Sequence, residues 1–212
     1  MSDPGGAPAR AIDALQAGPR SREAVEAFLA GHSFPLVEGE TITFVYRGEV
    51  EAVHLKHWVY GLPSSQQLAR VEGTDLWHLT LELPAGSRVE YKLEVVRGGH
   101  GEWIQDPLNP NLARDPYGAN SVVHGSGYEV PAWVAPEPEA RPGLLDELMF
   151  ESSTFGRRSV GIYLPARFRR TRRYPLLVVH DGHDYLRYAG LKAVLDNLIH
   201  RLEVPDLVAA LT

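Results

Sequence analysis

Arg173-Tyr174-Pro175-Leu176-Leu177-Val178-Val179-His180-Asp181-Gly182 is the stretch that decides how this chain is read. Its apolar run, Pro175 to His180, predicts a buried strand, and the polar residues after it predict a tight turn allowed by Gly182. Downstream, Leu191, Val194, Leu195, Leu198 and Ile199 recur at helical spacing. Pro205 ends that region, and Leu207 to Leu211 reads as a second buried strand. Strand, helix and strand in this order predict the opening of a parallel α/β sheet, which places its chemistry in the loop after the first strand. The expectation is a catalytic domain of which these residues hold only the beginning.

Working back from that stretch, Leu148 to Glu151 and Ser159 to Leu164 predict a pair of strands. Pro131 to Pro142 holds four prolines and alternating charge, the composition of a stiff extended linker. Before it the period is two. Thr41 to Tyr46 alternates, and Glu51 to Leu55 and Trp58 to Tyr60 are shorter strand candidates. Trp77, Leu79, Leu81 and Leu83 share one side of a predicted strand, with His78, Thr80 and Glu82 on the other. After Pro84-Ala85-Gly86-Ser87, Val89, Tyr91, Leu93 and Val95 repeat the alternation, which predicts an antiparallel hairpin with one wet face. Glu102 to Gln105 reads as a short returning strand, Asp106 to Asn120 as a long ordered loop, and Ser121 to His124 as a last strand. Short strands with turn signals and no helices predict a β-sandwich. Ahead of it lie two short helices split by Gly18-Pro19, the second capped by Ser21, and a Pro/Gly/Ala-rich tail, Met1 to Ala9, read as disordered.

The division expected is a helical lead-in over 1–33, an all-β Ig-like (E-set) sandwich over 34–130, the linker over 131–142, and the start of an α/β domain over 143–212. Hydrophobic content of 44% and charged content of 23% are those of an ordinary globular protein. A net charge of −6 offers no field that would gather nucleic acid or an acidic membrane surface. The absence of Cys excludes disulfides, thiol catalysis and Cys-ligated metals. Met1 to Arg20 has no apolar signal-like run, and no apolar stretch reaches membrane-spanning length, so cytoplasmic residence is expected.

His180, Asp181, His183 and Asp184 could ligate a metal, since imidazole and carboxylate both donate lone pairs. The simpler reading is a strand-to-helix turn capped by Asp184. A third reading is functional: backbone N–H groups of Gly182, His183 and Asp184 are placed to serve as part of an oxyanion hole. No Ser stands in a G-x-S-x-G setting; Ser126 lies between Gly125 and Gly127 and reads as a turn residue. The run Arg167, Arg169, Arg170, Arg172 and Arg173 reads as a solvated loop rather than a nucleic-acid site. Among Trp58, Trp77, Trp103 and Trp133, Trp77 belongs to the core stripe. Trp103 is the better candidate for a partly exposed, sugar-stacking face, although burial at a domain interface is the simpler expectation. Trp103 and Tyr185 are the candidate substrate contacts.

On these residues the chain resembles the N-terminal part of the enterochelin esterase-like proteins. In the first half the resemblance rests on Phe34-Pro35-Leu36-Val37-Glu38, Thr43 to Gly48, Leu76 to Leu79, Val89 to Leu93, and Asp106-Pro107-Leu108-Asn109-Pro110. In the second it rests on Val160 to Pro165, Tyr174 to Gly182, and Leu195-Asp196-Asn197-Leu198-Ile199. The Asp-Pro-x-Asn-Pro element and the Tyr-Lys strand also occur in glycogen-binding E-set sandwiches. The resemblance implies an α/β-hydrolase fold, a Ser-His-Asp type mechanism on a small-molecule carboxylic ester such as a siderophore's, and no metal or organic cofactor. The family's nucleophile elbow and catalytic His have no counterpart within these 212 residues, so the chain alone is expected to be inactive. Two other readings stand beside it: a glycan- or ligand-binding E-set module without catalysis, and a metal-dependent hydrolase using the His180–Asp184 turn. A homo-oligomer is compatible with all of them.

Overall fold

The computed structural model describes residues 10–154 and 156–212, so the tail expectation for Met1 to Ala9 lies outside the described residues. The chain divides into two compact units, Met1–Glu129 and Val130–Thr212.

The first unit opens with helices α1 (Ala11–Ala17) and α2 (Arg22–Gly31). The hydroxyl of Ser21 caps α2 by accepting the Ala24 N–H at 3.2 Å. Ten strands follow: β1 (Leu36–Glu38), β2 (Thr41–Arg47), β3 (Ala52–His57), β4 (Ser65–Gln67), β5 (Ala69–Arg70), β6 (Leu76–Glu82), β7 (Arg88–Arg97), β8 (His100–Ile104), β9 (Leu112–Asp115) and β10 (Gly118–His124). They form one sheet in the order β1-β2-β6-β5 and another in the order β4-β3-β7-β10-β9, with β8 also paired to β7. Phe44, Tyr46, Trp77 and Leu81 of the first sheet meet Val53, Leu55, Tyr91, Leu93 and Val95 of the second in one buried cluster, so the sheets pack face to face. Phe44 and Tyr91 meet edge-on, ring centroids 4.8 Å apart. Leu79 and Val89 pack partly buried against this cluster, as their alternation predicts.

Four local readings are corrected here. β6 and β7 are not a hairpin, because β6 pairs with β2 and β5, and β7 with β3, β8 and β10. The Pro84–Ser87 turn carries the chain from one sheet to the other, so both apolar stripes face the same core from opposite sides. Nor is the polar side of β6 wet along its length, since His78 and Thr80 are partly buried and only Glu82 at its end is exposed. Val45 and Leu76 point away from that core into a second cluster with Ile12, Val25 and Phe28 of the two helices, and His78 there hydrogen-bonds Gln16 of α1. This is why Ile42 to Tyr46 is buried throughout. Trp58 to Tyr60 is not a strand; it is a turn after β3 with Trp58 and Tyr60 exposed. Within the predicted loop from Asp106 to Asn120, β9 and the start of β10 pair through the Asp115–Gly118 turn.

The second unit has β11 (Leu144–Ser152), β12 (Gly156–Leu164), β13 (Leu176–Val179), α3 (Gly182–Tyr188), α4 (Leu191–His200) and β14 (Val208–Leu211) in chain order. The sheet order is β11-β12-β14-β13. β11 and β12 form a long hairpin, β12 and β14 are antiparallel, and β13 and β14 are parallel in the register Leu176↔Val208. The two helices lie in the crossover between the parallel strands, and Leu186, Leu191, Leu195 and Ile199 cover Tyr163, Val179, Ala209 and Leu211 on one face. Among the described residues of this unit none covers the opposite face. Leu144, Leu148, Phe150, Leu176 and Val178 share it by register and are exposed, Leu176 at 65%. The expectation that Pro175 to His180 is buried is corrected accordingly.

The Pro-rich segment has neither helix nor strand, yet it does not hang free. Asn197 of α4 donates to the carbonyls of Trp133 (2.9 Å) and Ala135 (2.7 Å), and its Oδ1 accepts the Glu137 N–H. Arg201 adds an ion pair with Glu137 at 2.9 Å. Asp196, next in line, accepts from the Gly143 N–H, the Tyr163 hydroxyl and the Lys192 ammonium. The Leu-Asp-Asn-Leu-Ile motif is thus the clamp that fastens this segment and β12 to α4.

Candidate functional site

The turn from His180 to Asp184 sits at the carboxyl end of β13. Val179 ends the strand by accepting the Thr212 N–H at 2.9 Å, and Gly182 answers by donating to the Thr212 carbonyl oxygen at 3.1 Å. These two bonds bring the ends of the parallel strands together. The His180 Nδ1 lies 3.2 Å from the Thr212 hydroxyl.

Two backbone features shape the turn. Asp181 is left-handed, with φ 55° and ψ 34°, a conformation that costs a non-glycine residue about 1–2 kcal/mol. Gly182 is buried against β14, and a Cβ there would sit 2.4 Å from the Leu211 Cβ and 2.5 Å from its Cα. Glycine is required because the backbones touch. The helix that follows is capped by Asp181 through its backbone, with no side-chain capping bond, so Asp184 is not the cap; it lies in the first turn of α3.

The three candidate oxyanion donors differ. The Gly182 N–H is taken by Thr212, and the Asp184 N–H is donated to the Asp181 carbonyl at 2.9 Å. The His183 N–H has no backbone partner among the described residues, and His183 is exposed. Tyr185 is one turn along, 51% exposed, its N–H bonded to the Asp181 carbonyl. This geometry presents one open N–H dipole at a rigid, Gly-backed turn. Among the described residues no group of three or more His, Cys, Asp or Glu side chains is arranged to hold a metal ion, so His180, Asp181, His183 and Asp184 do not form a ligand set.

The basic run is an ordered loop around Tyr174. The Tyr174 hydroxyl accepts the Arg169 N–H at 2.8 Å, and Arg172 lies over the Tyr174 ring and pairs with Asp206. A cavity of about 530 Å³ in the second unit, lined by Arg141, Tyr163, Arg167, Asp196, His200 and Asp206 among others, includes none of the turn residues. Nothing in the sequence pointed to it, since its lining comes from four separated segments. Trp103, in the first unit, is on β8 and is 50% exposed.

The family model described as enterochelin esterase, N-terminal, matches residues 41–133, and the Esterase family model matches residues 152–211. No curated protein matches the sequence. Among solved structures, the enterobactin esterase FES from Shigella flexneri, determined in the presence of enterobactin, is similar with a TM-score of 0.55 and 24% identity. That match covers 81% of this chain and 51% of the other. The ferric enterobactin esterase from Salmonella typhimurium is similar with a TM-score of 0.58 and 22% identity over 80% of this chain and 52% of that one. At these identities the structural likeness is one of fold, and the chain spans about half the length of the structures it matches. The two family models, one in each unit, together with the structural likeness support an enterochelin esterase-like protein.

Proposed function

We propose that this chain is the N-terminal portion of a carboxylic-ester serine hydrolase, in which an Ig-like, E-set sandwich (34–130) shapes substrate access to an α/β-hydrolase domain begun by residues 143–212. The observation that carries the reading is the turn itself: a parallel strand pair, a left-handed Asp181, a glycine pressed on the neighbouring strand, and an open His183 N–H at the strand's carboxyl end. Acyl transfer builds negative charge on the carbonyl oxygen of the ester, and a fixed N–H dipole aimed at that oxygen stabilises the transition state without reorganising. His183 supplies one such donor. A second donor, a Ser nucleophile and its His base come, in this reading, from polypeptide outside these 212 residues, since no Ser here stands in a G-x-S-x-G setting. The substrate class is a small-molecule ester. The Shigella flexneri esterase structure was also determined in the presence of 2,3-dihydroxy-N-benzoyl-glycine, which supports an ester formed by an N-aroyl amino acid, of siderophore type.

Assay on p-nitrophenyl acetate and on enterobactin tests this. The 212-residue protein gives no turnover above background, whereas a longer polypeptide that carries an elbow Ser hydrolyses both. In that longer form His183→Pro removes a single N–H at a first-turn position where proline is tolerated. It lowers kcat by roughly 10²–10³, the cost of one oxyanion donor. Fluorophosphonate-sensitive turnover by the 212-residue protein overturns the reading.

A further inference from the structure

We propose that the cavity beside the end of α4, in the second unit, is a binding site for a small organic carboxylate with an apolar body. The register places it. β12 and β14 are antiparallel with Tyr163 opposite Ala209, so the end of β12 and the start of β14 lie side by side. Arg167 follows the one, Asp206 precedes the other, His200 ends α4, and all three line the cavity of about 530 Å³. The cavity is therefore at the opposite end of β14 from the turn at His180–Asp184, which is bonded to Thr212.

The charges around the cavity are unequally engaged. Asp196 is held by the Lys192 ammonium at 2.6 Å, by the Tyr163 hydroxyl and by the Gly143 N–H, and Asp206 pairs with Arg172 at 2.8 Å. The guanidinium groups of Arg141 and Arg167, which reach the cavity from segments on either side of the β11–β12 hairpin, have no hydrogen bond or ion pair among the described residues. Among the lining acids Glu139 alone is likewise without a partner among the described residues. Two unengaged guanidinium groups against one unengaged carboxylate leave the lining with positive charge in excess. A guanidinium fork meets a carboxylate with two parallel hydrogen bonds, which suits it to this anion.

Leu202 supplies the second observation. The Glu203 N–H bonds the Leu198 carbonyl at 3.0 Å and the Leu202 N–H bonds the Ile199 carbonyl at 3.1 Å, so α4 ends in a Schellman motif. The left-handed position of that motif is ordinarily glycine, and here it is Leu202, at φ 60°. Its side chain is 88% exposed, so packing does not offset the strain. What it borders, with Ile199 and Ala166, is the cavity. An apolar border next to two unengaged guanidinium groups is the complement of a carboxylate on an apolar body. A phosphate dianion fits less well, because its second charge would face Glu139, Asp196 and Asp206.

The test follows the Nε–H resonances of Arg141 and Arg167, assigned through the backbone, in the full 212-residue chain labelled with nitrogen-15. Benzoate, hexanoate, phenyl phosphate and benzyl alcohol are titrated separately at constant ionic strength. The expected result is a saturable shift of both resonances with benzoate or hexanoate, a weaker response to phenyl phosphate and none to benzyl alcohol. R141Q and R167Q each bind the carboxylate about tenfold or more weakly, as loss of a charged hydrogen-bond donor requires, whereas R170Q, on the same basic loop but outside the lining, binds it as the parent does. Leu202→Gly separates a binding role from a structural one: it raises the melting temperature of the second unit without ligand and weakens carboxylate binding several-fold. No saturable shift, tighter binding of phenyl phosphate than of benzoate and hexanoate, equal weakening in R170Q, or carboxylate binding undiminished in L202G overturns the proposal. The arginine resonances of the parent report even where a variant fails to fold.

Discussion

Tyr91 donates its hydroxyl proton to Asp106 Oδ2 across 2.6 Å, and both residues are buried. The pair is the centre of a network built from Asp106-Pro107-Leu108-Asn109-Pro110. Asn109 Nδ2 reaches the Tyr91 oxygen at 3.0 Å and the Val122 carbonyl at 2.8 Å, and the Asp106 N–H donates to the Ser121 hydroxyl at 2.8 Å. Asp106 Oδ1 accepts the Leu108 N–H, and Asn109 Oδ1 the Asn111 N–H. The motif thus folds a polar loop onto β7 and β10 with its buried groups satisfied. Tyr91→Phe keeps the ring against Phe44 and removes the hydroxyl, leaving a buried carboxylate oxygen without its donor. It lowers stability by about 1–3 kcal/mol, read as a lower urea midpoint at unchanged m-value.

The same network sets an acid-range pH dependence. Burial raises the Asp106 carboxyl above its ordinary value, against the hydrogen bonds from Tyr91 and Leu108, which lower it. A carboxyl whose folded pKa is raised binds more protons folded than unfolded, so its contribution is full below the unfolded pKa and is lost as pH rises through the folded one. Asp106→Asn removes that titration. The stability difference between the parent and D106N therefore moves in the parent's favour as pH is lowered from 7 towards 4. A difference that moves the other way shows that Asp106 is held ionised.

His57 carries the opposite sign. Its Nδ1 accepts the Val59 N–H and its Nε2 meets Gln66, so it is neutral, and burial lowers its pKa. A His with a depressed folded pKa contributes stability above its unfolded pKa that is lost as pH falls below it. Protonation puts a second donor against the Val59 N–H. Amide exchange at Val59 accelerates as pH falls from 7.5 to 5.5, after correction for intrinsic rates, and in His57→Gln this extra acceleration is absent.

How far the sequence reveals this fold depends on what period two means. Alternation at Trp77-Leu79-Leu81 and Tyr91-Leu93-Val95 identifies one buried side of each strand, and both are buried as read. It does not say whether the next strand is a hydrogen-bonded neighbour or lies across the core, and here it lies across. The parallel crossover was legible because Leu176–Val179, the α4 stripe and Val208–Leu211 each carry their own signal and parallel strands require a crossover. α3 was not, since Gly182-His183-Asp184-Tyr185 has no apolar period and begins at a residue whose role is contact with Leu211. The Trp58 to Tyr60 error has a similar cause: aromatic residues favour strands only where a partner strand is available.

The turn at β13 predicts a pair of opposed mutational effects. Gly182→Ala drives a methyl into the Leu211 backbone, where neither strand can yield without breaking the Val179–Thr212 bond. The expected loss is about 1–3 kcal/mol or more, confined to the second unit. Asp181→Gly relaxes the left-handed residue and stabilises the same unit by up to about 1 kcal/mol. Hydrogen exchange at the amides of β13 and β14 reads both: faster in G182A, slower in D181G, and unchanged in β2 to β7. Equal effects in the two units would show that they unfold together.

The exposed face of the second unit's sheet carries the last prediction. Leu144, Leu148 and Phe150 on β11 and Leu176 and Val178 on β13 are exposed on one side of the sheet, with the partly buried Ile162, Val208 and Ala210 between them and Asp146 as a charged neighbour, a largely apolar face of the kind that isolated globular proteins seldom expose. β13 is at the edge of that sheet with one row of backbone groups open. In dilute buffer the 212-residue protein therefore binds a hydrophobic dye and self-associates with increasing concentration. Leu148→Lys and Val178→Lys together put charge on the patch without touching the opposite face, where Leu195, Ala209 and Leu211 pack. The double variant loses most of the dye signal and sediments as a monomer at concentrations where the parent does not, while the melting transition of the first unit stays where it was. A parent that is monomeric and dye-negative at high concentration would mean that this face is covered in solution.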